Sequence, residues 1–485
     1  MTRARFASLA ALLLLACTRA NSEPGARPIA GPAGSTTGAA ASVPAEGAGK
    51  SAPAGDVATT KSPAAPSGAP EELPPLPFIE DDFGAARAEA TRRNLPLFVD
   101  VWANWCHSCM SLKEVVFPDP RLRALRDRFV FLSLDSENEK NAPFFHEFPN
   151  RSLPTLWVFS PRGDRPLLKW IGAATAEELV SLLGSVEGGA PELGEAARLF
   201  VEANRESAAA HSDRAIALYR KALSAGSSGW VDRDRAVEAL TMRYAETARA
   251  RECVELALAE APRMAAGTPR VNVVSNGLTA ASRLPDSAKS RAAFATLRDL
   301  AKRIAEDPSE PILVDDRSGL YESLVGIYGS SDPKEARRLA TAWADMLERA
   351  AAADRTPEAR RARDPHRLEA YLALGEPDRA IPMLERSERE APDDYNPKAR
   401  LARAWFAKGD VQRAAAYLER AIPLCPGPRR LRLYLFEADV MMAKKDRAGA
   451  RKALEEALAF ARNAHVSHEY DALVASIRTR LSGLR

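Results

Sequence analysis

Two cysteines three positions apart, Cys106 and Cys109, are the residues in this chain best placed for covalent chemistry. They follow Leu97-Phe-Val-Asp-Val-Trp102, an apolar run rich in β-branched and aromatic residues that reads as a buried strand. The segment after them, to about Val116, holds no Gly or Pro and reads as a helix. A strand that delivers Cys-x-x-Cys to a helix N-terminus is a redox arrangement. Unpaired backbone N–H groups and the helix dipole stabilise a thiolate at the first position, and the second thiol, one turn on, can close a disulfide with it. Cys106 is therefore the expected nucleophile, the more exposed of the two and titrating below the ordinary thiol value. Cys109, deeper and neutral, is expected to resolve the mixed disulfide. His107 and Ser108 between them set the redox poise, because a protonated imidazole would favour the neighbouring thiolate. Trp105 is expected to shield one side of the pair.

Other chemistries find little support. The chain has five cysteines, Cys17, Cys106, Cys109, Cys253 and Cys425, too few and too scattered for a disulfide framework. A structural zinc site would need a second ligand pair near Cys106 and Cys109, and none is evident. A c-type haem would need His after the second cysteine, where Met110 stands. His211, His366, His465 and His468 show no metal-ligand spacing, so neither a metal nor an organic cofactor is expected. Cys253 and Cys425 lie among apolar neighbours and read as buried free thiols. With 68 basic and 65 acidic residues the charge is near balance, and no polycationic block points to nucleic acid.

The run Val99-Asp-Val-Trp-Ala-Asn-Trp-Cys-His-Ser-Cys109 resembles the active-site strand of the thioredoxin superfamily, including Asp100 six positions before the first cysteine. Arg151-Ser-Leu-Pro-Thr-Leu-Trp-Val-Phe159 is similar to the family's second signature, and Lys169-Trp-Ile-Gly172 to its glycine-bearing last strand. Residues 116–122, after the active-site helix, look more like the periplasmic C-terminal domain of the DsbD thiol:disulfide interchange family. The resemblance covers about residues 78–186. It implies a thioredoxin-like α/β fold in which Asp100 is the buried acid that moves a proton to or from Cys109. It also implies a cis Leu153–Pro154 bond beside the disulfide, leaving the preceding backbone free to pair with a bound peptide. His-Ser is neither the Gly-Pro of reducing thioredoxins nor the Pro-His of a strong oxidant, so the direction of electron flow stays open. Trp102 and Trp157 read as packing residues.

The elements that must position these groups follow in order. Residues 1–17 read as a lipoprotein signal: Arg3 and Arg5, the short apolar run Phe6–Leu15, then Leu-Leu-Ala-Cys17, similar to the bacterial lipobox with acylation at Cys17. Residues 18–77, dominated by Ala, Pro, Gly, Ser and Thr, read as a disordered tether with a span of roughly 45 Å. Within the thioredoxin-like domain, 78–188, either Asp81 or Asp82 caps a helix over 85–93. Strands are expected at 97–102, 129–135, 155–159 and 167–171, and helices around 142–148 and 176–186. Residues 191–485 are expected to be helical. Glycine steps from 375 to 409, alanine from 380 to 414 and proline from 392 to 426, each by 34 residues, and Ala450 follows Ala414 by 36. That period resembles the tetratricopeptide repeat. About seven helical hairpins in a solenoid are expected, or else an irregular helical domain with only the last three in strict register.

Together these features point to an envelope thiol:disulfide oxidoreductase, with a protein-disulfide reductase favoured through the DsbD resemblance. Its partners would be a disulfide-bearing envelope protein, a thiol electron donor and an unidentified protein docked on the repeats. Membrane contact would come through the lipid anchor alone, with the outer membrane favoured because Thr18 replaces the retention aspartate. The alternative is an envelope assembly protein whose repeats bind partners and whose thioredoxin-like domain is a binding module.

Overall fold

A computed structural model describes residues 75–485 apart from 149, 151, 163–165, 188–193, 210, 228, 231, 464–469 and 485. Cys17, the signal and nearly all of the tether lie outside the described residues, as do Arg151, His465 and His468.

The N-terminal part is a five-stranded sheet ordered β1-β3-β2-β4-β5. Its strands are β1 (Phe78–Glu80), β2 (Leu97–Trp102), β3 (Val130–Asp135), β4 (Thr155–Phe159) and β5 (Pro166–Ile171). β2 pairs parallel with β3 and antiparallel with β4, so it sits at the centre. A strand covered on both faces must be apolar throughout, and β2 is buried along its whole length except at Trp102. Alternation splits its side chains between two layers. Phe98 faces the layer built with Phe131, Leu156, Val158 and Leu112. Val99 and Val101 face the layer with Ala86, Ala90, Phe144 and Trp157. By the same alternation Asp100 shares the face of Phe98. β1 escaped the sequence reading because it is a three-residue edge strand, defined by its parallel pairing with Phe131–Ser133 rather than by any pattern of its own.

Helices α1 (Phe83–Arg93), α2 (His107–Ser111), α3 (Pro120–Arg123), α4 (Ala142–Glu147) and α5 (Ala176–Glu187) complete this part. Of the two cap candidates Asp82 does the capping, accepting from the Ala85 N–H at 2.8 Å. Asp81 instead accepts from Asn138, Asn141 and the Asp135 N–H, pinning β1 to the end of β3. The helix expected to run regularly to Val116 widens to a π-helical turn over Leu112–Val116.

Fifteen further helices follow among the described residues. Neighbours in sequence pack as hairpins: α6 (Glu195–Ala208) with α7 (Ser212–Ala225), α8 (Arg233–Glu246) with α9 (Ala250–Glu260), α10 (Thr268–Ala281) with α11 (Ala288–Glu306). Then come α12 (Val314–Gly329) with α13 (Pro333–Ala353), α14 (Pro357–Leu374) with α15 (Pro377–Glu390), α16 (Tyr395–Ala407) with α17 (Val411–Ala421), and α18 (Arg430–Ala443) with α19 (Arg447–Asn463). α20 (Asp471–Ser482) packs on the last pair. Ala380, Ala414 and Ala450, the alanines of the repeat, are all fully buried, because a small side chain is what lets paired helices approach. The period is irregular before residue 364 because α11 and α13 are 19 and 21 residues long, against 14 and 11 for α15 and α17. The fold is a thioredoxin-like α/β domain followed by a tetratricopeptide-like helical solenoid. Cys253 and Cys425 are free and buried, and burial pushes both thiols up to about 12.

Candidate functional site

Cys106 and Cys109 are joined as a disulfide, S–S 2.01 Å, at the head of α2. Cys106 is the N-cap residue of that helix, and the Cys109 N–H donates to its Sγ at 3.2 Å. Ser108 Oγ stands 3.7 Å from the same sulfur. The local geometry is thus what the spacing requires: the outer sulfur receives an otherwise orphaned helix N–H.

Beneath it, Asp100 is fully buried, and neither carboxylate oxygen has a hydrogen-bond partner among the described residues. Burial pushes its carboxyl up to about 7, against the pull of the nearby Lys113 ammonium. Sequence reasoning did not single out Lys113. It donates to Ser133 Oγ at 2.9 Å and lies 3.5 Å above the Trp102 ring, so it is held in the layer that Asp100 faces. The Leu153–Pro154 bond is cis.

The expectation that Cys106 is the exposed thiol fails. Both sulfur-bearing residues are 0% exposed, and they join one continuous apolar cluster with the repeats. The first helices of successive hairpins stack along one face of a repeat array, and here that face lies over the redox pair. From α10, Asn272, Ser275 and Asn276 line a void of about 20 Å³ against Ser152, Leu153 and Gly172. From α12 comes Asp315, and from α14 come Arg363 and His366. From α16, Asn396 Nδ2 donates to the Asn104 carbonyl at 3.3 Å. Arg429, just before α18, places its guanidinium 4.3 Å from the centre of the Trp105 ring, whose Nε1 donates to Glu137 at 3.3 Å. Trp105 is buried in the same apolar cluster as the two cysteines.

His107 is half-buried, with its Nδ1 turned away from water. Its ring lies 4.0 Å from that of His366, centre to centre, and its Nδ1 is 3.6 Å from Asp315 Oδ1. His366 Nε2 is 3.1 Å from the same oxygen. Arg363 donates to Asp315 Oδ2 at 3.1 Å and to Ser111 Oγ at 3.0 Å, joining α12 and α14 to the active-site helix. Burial alone would raise the Asp315 carboxyl, but His107, His366 and Arg363 hold it well below the usual range. Burial, reinforced by His107, pushes His366 down to about 4. The sequence carries no local signal for Asp315, Arg363, His366, Asn396 or Arg429 as active-site neighbours. Only the return of a distant helix to α2 makes them so.

A thioredoxin-like family profile matches residues 79–161, and a tetratricopeptide repeat profile matches 371–429. The chain is 30% identical over 98 residues to thioredoxin from Alicyclobacillus acidocaldarius, which covers 20% of this chain and 88% of that one. It is 28% identical over 85 residues to the thiol:disulfide interchange protein DsbD of Pseudoalteromonas atlantica, covering 17% of this chain and 14% of that much longer protein. Among solved structures, a tetratricopeptide repeat protein from Parabacteroides merdae is similar with a TM-score of 0.35 and 11% identity, over 59% of this chain and 99% of that one.

Proposed function

The chain belongs to the thioredoxin family through residues 79–161, and on that premise we propose that it is a protein-disulfide reductase of the cell envelope whose own repeats cover its active site. The reading rests on the Cys106–Cys109 disulfide at the head of α2, where the Cys109 N–H meets Cys106 Sγ above a buried carboxyl. In the reduced protein the Cys106 thiolate attacks one sulfur of a substrate disulfide. That S–S bond breaks, a mixed disulfide forms, and the second substrate sulfur leaves as a thiolate that takes a proton from water. Cys109 gives up its proton, with Asp100 as the acceptor, and attacks Cys106 Sγ. The Cys106–Cys109 disulfide forms and the first substrate sulfur leaves. A thiol donor restores the dithiol.

None of this occurs while the sulfurs are fully covered, so turnover requires the face built from α10, α12, α14 and α16 to move off α2. The tetratricopeptide-like face is then the place where a protein partner competes with the thioredoxin-like domain. The envelope location and the lipid anchor at Cys17 rest on the sequence of residues 1–17.

A second reading keeps the protein as an assembly factor with a permanently docked redox module, and the complete burial of the disulfide favours it. One experiment separates the two. Full-length Cys109→Ser, incubated with envelope extract, should accumulate mixed disulfides on non-reducing gels, and the unmutated protein should reduce insulin when a thiol donor is supplied. Cys106→Ser should abolish both trapping and turnover. No turnover and no trapped partner would leave the assembly reading standing; trapping by Cys106→Ser as strong as by Cys109→Ser would reverse the assigned roles.

A further inference from the structure

We infer that His107, Asp315 and His366 form a binding site for a single divalent transition-metal ion of the zinc class, placed across the seam between the thioredoxin-like domain and the repeats. One ligand comes from the active-site helix α2, one from α12 and one from α14. Their candidate ligand atoms all lie within 4.8 Å of one another. Two donors that bind one tetrahedral ion at about 2.1 Å lie roughly 3.4 Å apart. Asp315 Oδ1 is 3.1 Å from His366 Nε2 and 3.6 Å from His107 Nδ1, which brackets that separation.

Two further observations fit a ligand set better than a plain polar contact. His107 Nδ1 is buried and makes no hydrogen bond among the described residues, although it faces Asp315 and His366. A buried nitrogen left in that state is costly, and coordination would satisfy it. The carboxylate is also divided in the way metal ligands usually are. Oδ1 faces the two imidazoles while Oδ2 is held from behind by Arg363, itself anchored on Ser111 and Asp354. Outer partners of this kind orient a ligating carboxylate. Arg363 bonds to Oδ2 and not to Oδ1, and its charge is shared between Asp315 and Asp354.

Two imidazoles and one carboxylate are borderline ligands that suit zinc, with cobalt as a faithful substitute. Three protein ligands leave a fourth position for water. Because the ligands come from both parts of the molecule, the ion would bind the covered arrangement and not the uncovered one. Binding must then stabilise the cover over Cys106 and Cys109. Sequence spacing cannot reveal such a site, since His107 contributes alone and the other two ligands lie on separate helices far along the chain.

The test uses the full-length chain with Cys106–Cys109 kept oxidised, so that neither active-site thiol can bind metal. Zinc chloride titrated in a calorimeter should saturate at one equivalent per chain beyond any binding retained by the variants. Cobalt should give the intense visible absorption of a tetrahedral centre, and zinc should slow reduction of the disulfide by a phosphine, tris(2-carboxyethyl)phosphine, in the unmutated chain but not in His107→Gln. His107→Gln and His366→Gln, which approach the site from opposite sides of the seam, should each weaken zinc at least tenfold. His211→Gln, an exposed histidine paired with Glu206, should leave it unchanged. His366 is buried, so circular dichroism checks that variant; if it misfolds, His107→Gln decides alone. Zinc binding undiminished in His107→Gln, or no saturable binding by the unmutated chain at about 100 µM zinc, would overturn the site and leave a hydrogen-bonded ionic cluster.

Discussion

Asp100 sits where a charge is hardest to hold: buried, with both oxygens unpartnered, under the helix that carries the disulfide. Its carboxyl is raised to about 7 in the folded chain, against an ordinary value of 3.8. A raised acid binds its proton more tightly when folded. Its contribution to stability is therefore greatest at low pH, falls as pH rises from about 4 to about 7, and stays lost above that. The shift corresponds to roughly 4 kcal/mol at most, at about 1.4 kcal/mol per pH unit. Asp100→Asn cannot ionise, so its unfolding free energy should fall less between pH 4 and 8 than that of the unmutated protein. Buried Glu238 and half-buried Glu322, also raised, keep their share of the slope. The same variant should slow the step in which Cys109 displaces the substrate, seen as longer-lived mixed disulfide. Denaturant melts across that pH range check the first claim. An unchanged slope would mean that Asp100 is not the strained acid described here.

At the scale of elements, the loop between α17 and α18 shows how closely the array approaches the active site. Gly427 has φ +58°, and a Cβ built there would run into Glu137 Oε2. Glu137 is the acceptor for Trp105, so this loop presses on the residue that holds the cover tryptophan. Gly427→Ala adds both a backbone strain and a steric conflict, together about 1–2 kcal/mol. Because the conflict lies at the seam, the loss should appear locally. Dithiothreitol should reduce Cys106–Cys109 several-fold faster, while the far-UV circular dichroism of the helices is unchanged. Equal reduction rates would place the loop outside the cover.

At the scale of the molecule, one buried cation joins three elements. Arg363 on α14 is 4% exposed and bonds to Ser111 at the end of α2, Asp315 on α12 and Asp354 after α13. Removing one partner of a buried ion pair leaves a charge without compensation and costs about 3–5 kcal/mol. Arg363→Met should therefore lower the unfolding free energy by that amount, far more than the loss of an exposed surface ion pair such as Arg92–Glu89. It should also uncover the disulfide to dithiothreitol, since the lost contacts cross the seam. A destabilisation with no gain in reactivity would show that the cover is held by the apolar cluster alone.

The chain by itself determined what local rules can determine. The strand–Cys-x-x-Cys–helix order, the alternation that turns Asp100 toward Phe98's face and the 34-residue alanine step of the last repeats follow from periods of two, 3.6 and 34 residues, whereas Pro154 was legible only through resemblance to the thioredoxin signature. Three things needed the tertiary structure. The three-residue β1 exists through its pairing with β3, and a single edge pairing leaves no pattern in so short a segment. The π-helical turn after Ser111 has no signature in the composition of Leu112–Val116. Most consequentially, the repeat face falls on the redox pair. Stacked hairpins carry their first helices along a common surface, but where that surface lies depends on the summed rotation of every hairpin before it. Cys106, read from its neighbours as the exposed thiol, is covered because residues hundreds of positions away return to it, and His366, unremarkable in sequence, stands beside His107 for the same reason.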